Sequence, residues 1–124
     1  MTDLSQQPWF DDTEWLTVPD LVEMLGLSVS RVHRLFEDHV LISTRVDGVV
    51  VTPAVFLVDG EPMHELRGTA TVLSDNGFTD DEALDWMLSV EDSLGVSPVE
   101  ALRAGRKAEV RRVAQSLLLS LIHI

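Results

Sequence analysis

The sequence predicts a mainly α fold with a small β-hairpin. Three observations carry that expectation. Two capped amphipathic segments stand on either side of Gly26, valine-rich runs flank Asp47-Gly48, and apolar residues recur at helical spacing from Leu66 onward. Helix, glycine turn, helix and hairpin, in that order, is the layout of a winged helix-turn-helix, and the remainder reads as an all-helical C-terminal domain. A chain of 124 residues has room for one domain or two small ones. The pattern divides it into an acidic N-terminal arm at 1–15, the winged helix-turn-helix at 16–62, the helical domain at 63–118, and a separate stretch at 119–124.

Residues 1–15 set Trp9, Phe10 and Trp15 among Asp11, Asp12 and Glu14. They read as a tail, ordered only where its aromatics dock. Thr17 caps the first helix, Pro19 suits its first turn, and Asp20 falls at the capping-box position. Val18, Leu21, Val22 and Leu25 form one apolar face, and Gly26 supplies the left-handed residue that ends the helix. Ser28 caps the second helix, expected at 28–37. Within it Val32, Leu35 and Phe36 point inward, leaving Ser30, Arg31, His33 and Arg34 outside.

The period then changes. VLISTRV and VVVT surround Asp47-Gly48 as a hairpin wing at 41–52, with Pro53 closing the ladder. AVFLV follows, and Asp59-Gly60 is a second turn. A helix over 66–76 stops at Asn76-Gly77. Thr79 to Glu82 is a capping box opening a helix whose core face is Leu84, Met87 and Leu88, with Trp86 beside them. Ser97-Pro98-Val99-Glu100 starts a short helix that ends at Gly105. The last helix runs from Arg106 with Val110, Val113 and Leu117 on one face, and Arg106, Lys107, Arg111 and Arg112 elsewhere. The final LSLIHI is spelled by CTG TCT CTT ATA CAC ATC, which matches the transposon end used to prepare sequencing libraries. Residues 119–124 are therefore expected to be a translated adapter outside the fold, the competing explanation being a native apolar helix end, and His123 carries no functional weight.

Composition excludes several classes of function. There are no cysteines, so disulfides and thiolate metal sites are ruled out. His33, His39 and His64 lack metal-ligand spacing, and there is no phosphate loop, dinucleotide fingerprint or nucleophile elbow. No enzyme activity, metal or cofactor is expected. No basic-then-apolar leader opens the chain, and no apolar run approaches the ~20 residues of a membrane span, so a cytoplasmic protein without membrane association is expected.

The net charge is -12, but its placement matters more than its sum. Residues 1–30 carry -6 and residues 47–100 carry -11, whereas 31–46 carry +1 and 101–124 carry +4. The first basic island is the outer face of the second helix. Arginine reads guanine through a two-pronged fork, serine bonds bases or phosphate, and a helix N-terminus attracts phosphate. Ser28, Ser30, Arg31, His33 and Arg34 are the candidate contacts to double-stranded DNA, with Arg45 on the wing. The competing explanation is a packed helix pair and hairpin whose arginines are a solvated face.

The stretch TVPDLVEMLGLSVSRVHRLFEDHVLISTRVDGVVVTPAVF resembles the excisionase-like and MerR-like helix-turn-helix pattern. With GVVVTPAVF and FTDDEALDWML in place, residues 14–118 resemble a small actinobacterial family that joins a winged helix-turn-helix to a helical C-terminal domain. That resemblance implies a DNA-binding regulator. Because some members are substrates of membrane serine/threonine kinases, it also implies a possible kinase partner and Thr13 as candidate phosphoacceptor. WMLSVEDSLGVSPVEALRAGRKAEVRRVAQSL is also similar to the toxin-binding domain of Xre-type antitoxins. This second resemblance implies self-association, such as a homodimer through the C-terminal helices, or partner docking. The alternative function is accordingly a protein-interaction module with little DNA binding.

Overall fold

The computed structural model describes the backbone of residues 3–122 and the side chains of residues 3–117. Of the stretch expected to be adapter-derived, the backbone of 119–122 continues the last helix, while its side chains and residues 123–124, with His123, lie outside those described.

Thr17 serves two elements at once. It closes strand β1 (Trp15–Thr17) and caps helix α1 (Val18–Leu25), its hydroxyl accepting from the Asp20 N–H at 3.2 Å while the Asp20 carboxylate accepts from the Thr17 N–H at 2.9 Å. Reciprocal capping satisfies two donors that the helix start would otherwise leave open. Gly26, at φ 68°, ends α1, and the Ser28 hydroxyl starts α2 (Val29–Glu37) by accepting from the Arg31 N–H at 3.2 Å.

The end of α2 departs from expectation. His39 takes a left-handed conformation at φ 62°, donating its N–H to Phe36 O, while the Val40 N–H reaches back to Leu35 O at 2.9 Å. These two bonds are a Schellman closure in which histidine stands where glycine is usual. Leu41 also donates to Leu35 O, and Leu41 and Ile42 are buried. Residues 40–43 therefore seal the helix end instead of starting a strand. The hairpin consists of β2 (Thr44–Val46) and β3 (Val49–Pro53), so the wing lies at 44–53 and not 41–52. Asp47 and Gly48, at φ 51° and 80°, make the tight turn whose twist matches the strands.

A third strand completes the sheet. β1 pairs antiparallel with β3, giving the order β1-β3-β2, so Trp15 lies in the fold and not in an arm. Three residues running straight into a helix cap are too few for strand alternation to show in a sequence. After β3 the chain makes a 3-10 turn (Ala54–Phe56) and a two-rung hairpin, β4 (Leu57–Val58) and β5 (Glu61–Pro62), about Asp59-Gly60. Four helices follow: α3 (Leu66–Asp75), α4 (Asp80–Leu88), α5 (Pro98–Arg103) and α6 (Lys107–Ile122). At α4 the Thr79 N–H donates to the Glu82 carboxylate, and that bond, with the Thr79 hydroxyl, holds Glu82 below the usual carboxylate range. A depressed pKa means that this cap is intact at neutral pH and is lost as pH falls through the lowered value.

One core serves the whole chain. Leu21, Val32, Leu41 and Phe56 from the first half join Leu66, Leu73, Leu84, Met87, Leu102 and Val110 from the second in a single buried cluster. The N-terminal segment belongs to it as well. Asp3 caps a 3-10 turn (Leu4–Gln6), Leu4 is buried, and Trp9, Phe10 and Trp15 form a mutually tilted trio.

Hydrogen bonds clamp the halves together. The Trp9 indole N–H donates to Asp85 on α4 at 3.1 Å, and the Thr44 hydroxyl of β2 donates to Asp81 on α4 at 2.6 Å. The Arg103 guanidinium at the end of α5 donates to the carbonyls of Val55 and Leu57 at 2.9 and 3.0 Å. Each bond has a charged partner, which makes it stronger than a neutral one.

Two outcomes are expected. Replacing His39 with Gly removes a left-handed side chain at the cost of greater freedom in the unfolded chain. A net gain of about 0.5–1 kcal/mol is expected in urea unfolding, and a loss would contradict the reading of the closure. A double-mutant cycle on Thr44→Val and Asp81→Ala is expected to give a coupling of about 1 kcal/mol, against near-additivity if the two side chains do not interact.

Candidate nucleic-acid interface

The interface is built on α2, whose faces are set by its apolar residues. Val32 is wholly buried, and Leu35 and Phe36 pack beside it. At 100° per residue the opposite side is centred on Ser30, Arg34 and Glu37, with Arg31 on one flank and His33 on the other. Ser28, Ser30, Arg31, His33 and Arg34 are all exposed. The Ser28 and Ser30 hydroxyls lie 3.3 Å apart at the open N-terminal end, where unpaired N–H groups and the helix dipole favour an anion. Among the described residues the single ion pair is Arg106–Glu109, so Arg31 and Arg34 carry uncompensated charge. Glu37 and Asp38 stand at the other end of α2 and make that end acidic.

The predicted residues separate into two groups. His33 and Arg45 share the walls of one cleft of about 990 Å³ between α2 and the wing, together with Phe36, Glu37, Asp47, Asp3, Asp80 and Asp81. Ser28, Ser30, Arg31 and Arg34 lie outside that cleft. His33 leans its ring edge-on to Phe36, with centroids 6.1 Å apart. Arg45 is exposed and curls over the wing turn, its guanidinium donating to Gly48 O at 3.3 Å. Thr13 is half-buried and its hydroxyl donates to Trp9 O at 2.7 Å.

Some contributors had no sequence signal. Thr44 and Asp81 hold the wing strand that carries Arg45, yet they are 37 residues apart. Val29 sits at the first helical position of α2 and leaves 56% of its surface in solvent, beside the serines. Its place at the start of an amphipathic helix gave no reason to single it out, although its exposure does. No group of three or more metal-binding side chains occurs among the described residues, and no described helix is long and apolar enough to cross a membrane.

The comparisons with known proteins follow the same two-part layout. Residues 6–57 match the family model described as "DNA-binding protein Rv2175c, wHTH domain". Residues 63–117 match the model described as "Rv2175c C-terminal domain of unknown function". The curated DNA-binding protein Rv2175c of Mycobacterium tuberculosis (strain ATCC 25618 / H37Rv) is 33% identical over 113 residues, covering 81% of this chain and 77% of that protein. The NMR structure of Rv2175c superposes with a TM-score of 0.81 at 31% identity, covering 94% of this chain and 86% of the other. The chain belongs to the Rv2175c family and carries both its winged helix-turn-helix and its C-terminal domain.

Proposed function

We propose that the chain is a transcriptional regulator that binds double-stranded DNA, reading the major groove with α2 and touching the flanking backbone with its wing. The observation that carries this reading is the outer face of α2. It carries two unpaired arginines and two serines, with Ser28, Ser30 and Arg31 at the exposed N-terminal end and Arg34 one turn further along, on a helix whose opposite face is locked into the core. Arg31 and Arg34 supply guanine or phosphate contacts, and Ser28 and Ser30 bond phosphate at the helix end. His33 and Arg45 line the groove between helix and wing. Val29 offers the kind of apolar surface that meets a thymine methyl. The relative's name as a DNA-binding protein supports the same reading.

The overall charge decides how binding occurs. A duplex is repelled by most of this surface, so productive encounters come through the N-terminal end of α2. Affinity is modest and falls steeply with salt. A homodimer would let two such helices engage two half-sites. A serine/threonine kinase acting on Thr13 would first have to lift the arm, because the Thr13 hydroxyl is held by the Trp9 carbonyl.

Two variants test the reading by fluorescence anisotropy on duplexes selected from a random pool. Arg31→Ala with Arg34→Ala is expected to weaken binding at least tenfold and to abolish sequence preference. Ser28→Asp keeps an equally good helix cap, so its thermal stability should match the parent, while a carboxylate facing phosphate weakens binding about tenfold or more. Wild-type affinity and preference in both variants would refute the assignment of α2.

A further inference from the structure

The nine basic side chains fall into three groups. Arg31, Arg34 and Arg45 lie on α2 and the wing. Arg103 is committed to the Val55 and Leu57 carbonyls. Arg106 is committed to Glu109 and to Leu94 O. That leaves Arg67, Lys107, Arg111 and Arg112, which have no structural partner of this kind among the described residues. All four are exposed.

Three of these four share one groove on α6, and Arg67 adjoins it through Gly68. Lys107, Arg111 and Arg112 line a shallow groove on α6 with Ala108 and Gln115, turned away from the buried Val110 and Ala114. α6 packs along α3, and the Arg111 guanidinium lies across Gly68, in the space that a Cβ at 68 would fill. Gly68 directly follows Arg67. Arg67 in turn lines a groove with Leu25 and Leu27, which flank the Gly26 turn between the two helices, and with Leu35 near the far end of α2. The basic strip therefore begins beside the helix-turn-helix and continues across Gly68 to α6. Glu61 is the one acid in the first groove, and the α6 groove has none.

We propose that this strip, Arg67 with Lys107, Arg111 and Arg112, is a second DNA-contact surface that binds the sugar–phosphate backbone without reading sequence. Charge complementarity supports it. In a chain at -12, four uncompensated cations on adjoining helices form a local field that suits a polyanion, and the strip adjoins the element proposed to read the groove. The inference rests on the DNA-binding reading and assigns a role to the C-terminal domain. Phosphate contacts of this kind contribute affinity and salt dependence, whereas base contacts contribute preference.

The test uses the full chain and anisotropy titrations of a labelled duplex at several KCl concentrations. Each phosphate neutralised contributes about -0.9 to the log–log slope. Arg67→Gln, Lys107→Gln, Arg111→Gln and Arg112→Gln combined should reduce the slope by about two to four units and weaken low-salt binding roughly a hundredfold, while sequence preference persists. Lys107→Gln with Arg112→Gln, both exposed, should reduce it by about one to two units and serves if the fourfold variant folds poorly. An unchanged slope and affinity in the folded double variant would overturn the proposal and leave the strip to another acidic partner. Failure of the groove-reading helix shows differently, as sequence preference retained by the Arg31→Ala, Arg34→Ala chain.

Discussion

Everything in this structure depends on a shared core. Segments of some fifty residues bury too little apolar surface to stand comfortably alone. Here the helix-turn-helix meets that constraint by directing Leu21, Val32, Leu41 and Phe56 into the same cluster as Leu66, Leu84, Met87 and Leu102. The charged clamps at Asp81, Asp85 and Arg103 sit around that shared surface and set the register between the halves. The position of the wing is thus a property of the whole chain, because α4 holds the strand that bears Arg45.

Charge is organised on top of that scaffold. The acids are not spread evenly, and neither are the bases. Asp3, Glu37, Asp47, Asp80 and Asp81 crowd the cleft between α2 and the wing, whereas the N-terminal end of α2 is free of acids. A polyanion meeting this molecule is therefore oriented before it makes contact. The same acidity explains why few uncompensated cations suffice to define a surface: against a negative background, each one dominates its neighbourhood.

Much of the fold was legible because the relevant signals are local. Thr17, Ser28, Thr79 and Ser97 are cap residues whose partners lie three positions away, and Asp47-Gly48 and Asp59-Gly60 are turn dipeptides that work over four residues. What could not be read is long-range or conformationally unusual. The strand at Trp15 is too short for alternation and exists only because β3 is there to pair with it. The wing was placed three residues early because Val40, Leu41 and Ile42 look like strand residues. The backbone donors of Val40 and Leu41 instead close α2, and the Leu41 and Ile42 side chains enter the core, through a histidine in a conformation its sequence neighbours do not advertise. On the interface, the arginines and serines of α2 were visible from their periodicity. The tie between Thr44 and Asp81 was not, since no pattern links residues 37 apart.

The clamps also bear on how the protein is made. Synthesis runs from the N-terminus, and a growing chain folds as its elements emerge. The residues that hold the helix-turn-helix in place are Asp81, Asp85 and Arg103, with core support from Leu102 and Val110, and all of them are translated after it. The groove-facing helix therefore leaves the ribosome before its foundation exists. A message broken within α4 or α5 would release a chain that carries every candidate base-contacting side chain and yet lacks the means to present them.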